Sequence, residues 1–441
     1  MSRIININNK IKSFDKNIVV EGDKSISIRF ILLASQAIGI SKAYNLLKSE
    51  DVLASINAIK KLGVKVKINK NFCEVFGNGV NSFKYKKNIK IDAKNSGTLG
   101  RLILGLLIKS PEKIKLIGDK SLSKRDFKRV ADPLKKFGAK IILKQKKNLP
   151  LTIEGTIKSK PIKYHEKKGS AQCKSTVIFA GLRTDGETII KAKKSRNHTE
   201  LLCKYLKLPI KVKKFKKFDL ITVNKAKKIK PLNYKIPSDI SSSAFFIALV
   251  CLVKNSKLTI KKVNINPTRT GLLTILKMMG LKIKFKNKTE YKGEKLSDLI
   301  INTPRQLKAI NCPSELNSGA IDEFLVIFLI AAKAKGISYF KNLGELNQKE
   351  SPRLQWGQKI LSEIGVKTIV KNNSIKIYGN PDLKINKKII IKDYLKDHRV
   401  LMTSVIAALS FGGEWHVHDK DSTNTSFPNF FKIINKIKNE R

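Results

Sequence analysis

A chain of 441 residues with 41% hydrophobic content buries a large core, and its length predicts two domains rather than one or four. The formal charge of +56 invites a polyanion-binding reading. Lysine is spread over nearly every segment, however, as at 211–217 and 225–230, without interleaved aromatics to stack on bases, which describes a solvated surface that sticks weakly to polyanions at low salt.

Residues 1–20 alternate short apolar residues with Asn, Lys and Ser rather than forming a signal core, and the longest apolar run, 244–253, is too short for a bilayer. A soluble, cytoplasmic protein is expected. Five scattered cysteines without C-x-x-C spacing suggest free thiols, with neither a zinc site nor a disulfide framework.

In chain order, residues 4–11 read as a strand available to complete a repeat at the far end of the chain. Gly22-Asp23-Lys24-Ser25-Ile26-Ser27-Ile28-Arg29 then places a lysine, a cap serine and an arginine around the start of an apolar helix over 25–37, with Ser25 and Arg29 on one face. A Lys-rich strand, a polar loop, an amphipathic helix, a glycine and a second strand follow, the glycine lying in Leu62-Gly63-Val64-Lys65-Val66. The same ending recurs at Phe137-Gly138-Ala139-Lys140-Ile141, Met279-Gly280-Leu281-Lys282-Ile283 and Ile364-Gly365-Val366-Lys367-Thr368. Glycine after a periodic apolar helix is the usual stop. A fifth copy near Leu206-Lys207-Leu208-Pro209 puts Pro in place of the stop, and a sixth helix covers 427–437.

More apolar helices, buried on most sides, are predicted at 98–108, 175–182, 242–253, 322–332 and 399–411 besides 25–37. A lysine run meets two prolines over 225–237, so three repeats fall on each side of that break, giving two similar α/β domains facing across a cleft. The period of about 70 residues exceeds that of common solenoids.

Each apolar helix begins at or just after Ser, Thr or Asp, which cap helices and leave backbone N–H groups for an anion. Only twelve arginines occur, and where lysine supplies ordinary positive charge a retained arginine marks a need for its planar fork. Arg29, Arg101, Arg125, Arg196, Arg353 and Arg399 all stand near such helix starts. Surface ion pairing explains any one of them and poorly explains six. Seven motif cations, Lys24, Arg29, Arg125, Arg196, Lys349, Arg353 and Arg399, face two motif carboxylates, Asp322 and Glu350, an imbalance suited to binding anions. Each charge-assisted contact contributes roughly 1.5 to 3 kcal/mol. His416 and His418 alternate on a strand without a third ligand and read as surface residues. Neither G-x-x-x-x-G-K-[ST] nor a strand-linked G-x-G-x-x-G is present, which disfavours nucleotide use.

Further motifs are Asn95-Ser96-Gly97-Thr98, Ser121-Leu122-Ser123-Lys124-Arg125, Gly169-Ser170-Ala171-Gln172-Cys173-Lys174-Ser175, Ser195-Arg196-Asn197-His198-Thr199-Glu200, Asn266-Pro267-Thr268-Arg269-Thr270-Gly271, Ile321-Asp322-Glu323-Phe324, Lys349-Glu350-Ser351-Pro352-Arg353 and Asp397-His398-Arg399. In this order, from about Gly22 to Pro428, they closely resemble the EPSP synthase family. The resemblance implies the two-domain enolpyruvyl transferase fold, an inside-out α/β (α+β) barrel in which each domain holds three βαβαββ-type repeats around buried helices. The expected domains are 21–235, and 1–20 with 236–441, with the active site in the cleft between them. It implies enolpyruvyl transfer from phosphoenolpyruvate to the 5-hydroxyl of shikimate 3-phosphate, by addition and then elimination of phosphate, with no metal or organic cofactor.

By the same resemblance, shikimate 3-phosphate contacts Lys24, Ser25, Arg29, Ser170, Ala171, Gln172, Arg196, Asp322 and Lys349. Phosphoenolpyruvate contacts Lys24, Gly97, Arg125, Gln172, Arg353 and Arg399. Asp322 is the candidate base for the hydroxyl, since a carboxylate at a helix start is well placed to accept and return a proton; its plain alternative is an N-cap. Glu350 and Lys24 are candidates for proton transfer at C3. Ser351 and Pro352 read as N-cap and first helical residue. The family usually has Asp where Pro352 stands and Arg-Val where Asn347-Gln348 stand, so a carboxylate beside Arg353 is missing; Ile28 replaces a common His, and Thr425 stands where one branch has Lys. A monomer without specific nucleic acid or membrane partners is expected. The alternatives are the transferase acting on UDP-N-acetylglucosamine, whose loop cysteine has no counterpart over 118–126, and a non-catalytic polyanion-binding protein.

Overall fold

The computed structural model describes residues 4–438. The chain forms two compact units: Gly22–Ile236 together with Tyr291–Glu294, and a second built from the residues up to Glu21, Pro237–Glu290 and those from Lys295 onward.

In the first unit, three four-stranded sheets share one plan: a parallel pair, then two antiparallel neighbours. The middle sheet, Lys90–Asp92, Ile114–Ile117, Asn148–Glu154 and Lys140–Lys144, takes all its strands from one repeat. In the sheet built on Ile38–Tyr44, the parallel neighbour is instead Asn233–Lys235, from the end of the unit's main segment, so the third repeat closes on the first. Strands such as Phe72–Asn78 alternate half-buried and buried residues, as a sheet covered on one face must. Under these faces lie the helices Lys24–Ala34, Gly97–Leu106 and Ala171–Gly181, whose Ile, Leu and Phe side chains join one apolar core.

The second unit follows the plan in two four-stranded sheets and closes with a sheet of three strands. Its helices Ile240–Leu252 and Phe324–Ala332 are buried at every residue, so no polar face orients them and they belong inside. His398–Phe411 is the third. Two N-terminal strands complete its sheets: Asp15–Ile18 runs parallel to Lys257–Asn264, and Ile5–Ile7 pairs antiparallel with Glu414–Val417, Ile7 opposite Trp415. The strand expected over 4–11 is thus present, shorter, and ties the N-terminus to the last repeat. Among the described residues each of the six sheets keeps two open ends, so the helices are covered by separate sheets.

All four predicted stops hold, with Gly63, Gly138, Gly280 and Gly365 at φ between +79° and +107° just beyond their helices. The fifth helix, His198–Tyr205, departs from expectation: Lys207 itself takes the left-handed turn, at φ +53°, and Pro209 only follows it. The helix expected at 175–182 begins four residues earlier, because Ser170 caps it by accepting from the Cys173 N–H at 3.3 Å. Among the lysines at 211–217, Phe215 stacks on Phe218 with centroids 4.6 Å apart, under Lys213 and Lys191; an aromatic is interleaved there after all. Among the described residues no helix is long and apolar enough to cross a membrane.

Candidate functional site

In the first unit the predicted residues gather at the N-terminal ends of the buried helices. Asp23, not Ser25, caps the first, its carboxylate accepting from the Ile26 N–H at 2.9 Å, which leaves Ser25 in the opening turn. Lys24 pairs with Asp51 at 2.8 Å. Arg29, one turn on and only 3% exposed, donates from Nε to Thr199 Oγ1 at 2.8 Å, from Nη2 to Ser175 Oγ at 3.2 Å and from Nη1 to the Ser25 carbonyl at 3.0 Å. Its hold on Thr199 and Ser175 joins three helices around one guanidinium.

A second group forms around Gly97. A Cβ at Gly97 would lie 2.9 Å from Arg125 Nη1 and 3.2 Å from Arg101 Nη1, so the bare backbone admits two guanidinium groups. Arg125 donates to Asn95 Oδ1 at 2.8 Å, and Arg101 to Gln172 Oε1 at 2.5 Å. Gln172 in turn donates to Thr98 Oγ1 at 3.0 Å, which fixes its amide orientation. Burial, aided by the like charges of Arg125 and Arg129, pulls Arg101 down to about 10. Ser170 is the cap and Ala171 the first residue of the helix that carries Gln172. Arg196 lies two residues before the His198–Tyr205 helix, half-buried.

The second unit centres on Arg353, 2% exposed. Its Nη1 lies 3.3 Å from Asp322 Oδ1, its Nη2 bonds Glu350, and Nε and Nη2 reach the two oxygens of Asp397 at 2.9 and 3.2 Å. Burial works against the Arg353 charge, but Asp397, Glu350 and Asp322 outweigh it and hold the guanidinium above its ordinary value. Burial likewise favours neutral Asp397, yet Arg353 prevails and keeps that carboxyl below the usual range. Lys349 sits 3.1 Å from the same Asp322 oxygen. Arg399 donates to the Asp322 carbonyl at 2.5 Å and lies 3.8 Å from Glu323.

Three readings change here. The Phe324–Ala332 helix has Glu323 at its cap position, and Asp322 spends its carboxylate on Lys349 and Arg353 rather than on capping. Pro352, lacking an N–H, occupies the cap position itself, so Arg353 is the first helical residue, and Ser351 donates to Asp397 at 2.8 Å instead. Arg353 nonetheless has a buried carboxylate beside it, that of Asp397. Arg101, Thr199, Ser175 and Asp397 were missed as site residues; arginine scarcity flagged Arg101, and the motifs contained Ser175, Thr199 and Asp397 without giving them a role. His416 bonds Glu414 at 2.7 Å, and no cluster of three metal-ligating side chains occurs among the described residues.

Comparison with known proteins shows the family. The family model described as EPSP synthase (3-phosphoshikimate 1-carboxyvinyltransferase) matches residues 8–434. A 3-phosphoshikimate 1-carboxyvinyltransferase of Ruthia magnifica subsp. Calyptogena magnifica is 41% identical over 419 residues, covering 95% of this chain and 94% of the relative. The solved EPSP synthase of Acinetobacter baumannii superposes with a TM-score of 0.85 at 32% identity, over 99% of this chain and 98% of that one. The enolpyruvyl transferase NikO of Streptomyces tendae shares the fold, with a TM-score of 0.77 at 12% identity over 99% and 98% of the two chains.

The two-unit, helix-inside architecture is that of the enolpyruvyl transferases. Within that class the chain belongs to the EPSP synthase (3-phosphoshikimate 1-carboxyvinyltransferase) family and is an enzyme of the shikimate pathway. Neither the UDP-N-acetylglucosamine enzyme nor a non-catalytic polyanion binder is favoured.

Proposed function

We propose that the chain joins phosphoenolpyruvate to shikimate 3-phosphate through the residues assembled above, acting as a cytoplasmic monomer with no specific nucleic-acid partner. Lys24, Ser25, Arg29, Ser170, Ala171, Gln172, Arg196, Asp322 and Lys349 hold shikimate 3-phosphate. Lys24, Gly97, Arg125, Gln172, Arg353 and Arg399 hold phosphoenolpyruvate. Both substrates bring a phosphate and a carboxylate, which guanidinium forks and helix N-termini suit.

Asp322 takes the proton of the 5-hydroxyl as the oxygen attacks C2 of the enolpyruvate, while Glu350 or Lys24 delivers a proton to C3. Return of that chemistry, with a proton lost from C3 and phosphate leaving C2, restores the vinyl group as an ether. The observation that carries this reading is the Asp322 carboxylate held at 3.1 Å from Lys349 and 3.3 Å from Arg353, which sets a candidate base among the motif cations assigned to the substrates. The test is phosphorus NMR of the protein mixed with both substrates. The expected result is loss of the enolpyruvate phosphate signal in step with free phosphate and the enolpyruvyl ether; no ether from an active, folded sample would refute it.

A further inference from the structure

The reading above uses Arg196 but leaves idle the first turn of the helix that follows it, His198, Thr199 and Glu200, all buried. Each has its own polar anchor. Thr199 is held by Arg29 at 2.8 Å and Ser175 at 2.7 Å; Glu200 pairs at 2.7 Å with Lys174, which is wholly buried; His198 Nδ1 lies 2.6 Å from Glu294 Oε1. Two anchors come from Lys24–Ala34 and Ala171–Gly181, helices that bear the anion-binding motifs.

The third comes from far along the chain. Glu294 opens the strand Glu294–Asn302, neighbour in one sheet to Ile283–Tyr291, and of these strands only the tip Tyr291–Glu294 belongs to the first unit. The tip is firmly seated there. Tyr291 meets Tyr234 edge-on at 5.4 Å and its hydroxyl accepts from the Lys235 N–H at 3.0 Å, while Lys292 lies 4.7 Å over the Tyr205 ring. Gly293 turns at φ +86°, beside Leu201. Glu294 thus arrives at the opening turn of the His198–Tyr205 helix, where the helix dipole favours a carboxylate, and at 1% exposure it lies against the imidazole.

We propose that Glu294 is a positioning residue for substrate binding: through His198 it fixes the turn that carries Arg196, and so sets affinity for shikimate 3-phosphate without entering the chemistry. The inference rests on the assignment of Arg196 to that substrate.

Three variants of the full chain test it by steady-state kinetics and by calorimetric titration with shikimate 3-phosphate. Glu294→Gln keeps an acceptor for His198 and loses the charge; Glu294→Ala loses both; Tyr291→Phe loosens the same tip and leaves the His198 contact intact. The KM for shikimate 3-phosphate should rise about tenfold in Glu294→Ala and less in Glu294→Gln, the size expected for one charge-assisted hydrogen bond. The KM for phosphoenolpyruvate and kcat should stay within about twofold in both, and Tyr291→Phe should match the parent. An unchanged KM in Glu294→Ala, a joint shift of both KM values and kcat, or a Tyr291→Phe variant indistinguishable from Glu294→Ala would overturn the proposal. Failure of the parent protein to bind shikimate 3-phosphate would remove the functional reading itself, whereas tight binding by parent and Glu294→Ala alike would remove only this inference.

Discussion

Arg29 and Arg353 are equally buried, at 3% and 2% exposure, yet their hydrogen bonds run to different chemistry. Arg29 donates to two hydroxyls and a backbone carbonyl, groups that orient a guanidinium without cancelling its charge. Arg353 donates to Asp322, Glu350 and Asp397. The first arrangement fixes the fork by hydroxyl and carbonyl acceptors drawn from three helices. In the second, the cation organises carboxylates that would otherwise repel one another, two of which the proposed reaction needs. One residue type is therefore held by hydroxyls in one unit and by carboxylates in the other.

The comparison breaks most readily at Asp322. Asp322→Asn keeps the size and loses the base, so turnover should fall by about 10² to 10⁴, with shikimate 3-phosphate binding retained in a calorimetric titration. Unchanged turnover would remove Asp322 from the chemistry.

Asp397→Asn tests the organising role. It leaves Arg353 short of a buried partner, a loss of about 3 to 5 kcal/mol readable by urea unfolding at neutral pH. Because the folded Asp397 carboxyl lies below its usual range, its contribution is fully present above the unfolded value, about 4, and disappears as pH falls through the depressed folded value. The gap between parent and variant should therefore close in acid; a gap that persisted there would assign the loss to packing.

A smaller effect is expected from Gly97→Ala. The new Cβ would stand 2.9 Å from Arg125 Nη1, and that flexible guanidinium must give way. The KM for phosphoenolpyruvate should rise several-fold while that for shikimate 3-phosphate holds. Equal shifts in both would mean that Gly97 supports the fold rather than the enolpyruvate pocket.

The same contrast explains what was legible in the sequence. Repeats declare themselves through local rules, since Gly63, Gly138, Gly280 and Gly365 each follow an apolar-periodic helix and turn it off with a positive φ. Arginine scarcity marked the guanidinium positions because lysine had taken every ordinary charge. What neither signal conveys is the acceptor. Ser175 and Thr199 lie 146 and 170 residues from Arg29, and Asp397 lies 44 from Arg353, so the pairing exists only once the helices are assembled. The tally of seven cations to two carboxylates failed for this reason: the fold sets Asp51 against Lys24 and Asp397 against Arg353. Lys207 shows the reverse limit, a lysine adopting the turn that a glycine would have advertised.

The central claim, that each anion has its own guanidinium fork, is tested most directly by measuring both KM values in Arg29→Lys and Arg399→Lys side by side. Lysine keeps the charge and loses the bidentate geometry, at a cost of about tenfold in affinity. Arg29→Lys should raise the KM for shikimate 3-phosphate and spare phosphoenolpyruvate, and Arg399→Lys should do the opposite. If both variants weakened the same substrate, or if lysine served as well as arginine at both positions, the account would be contradicted.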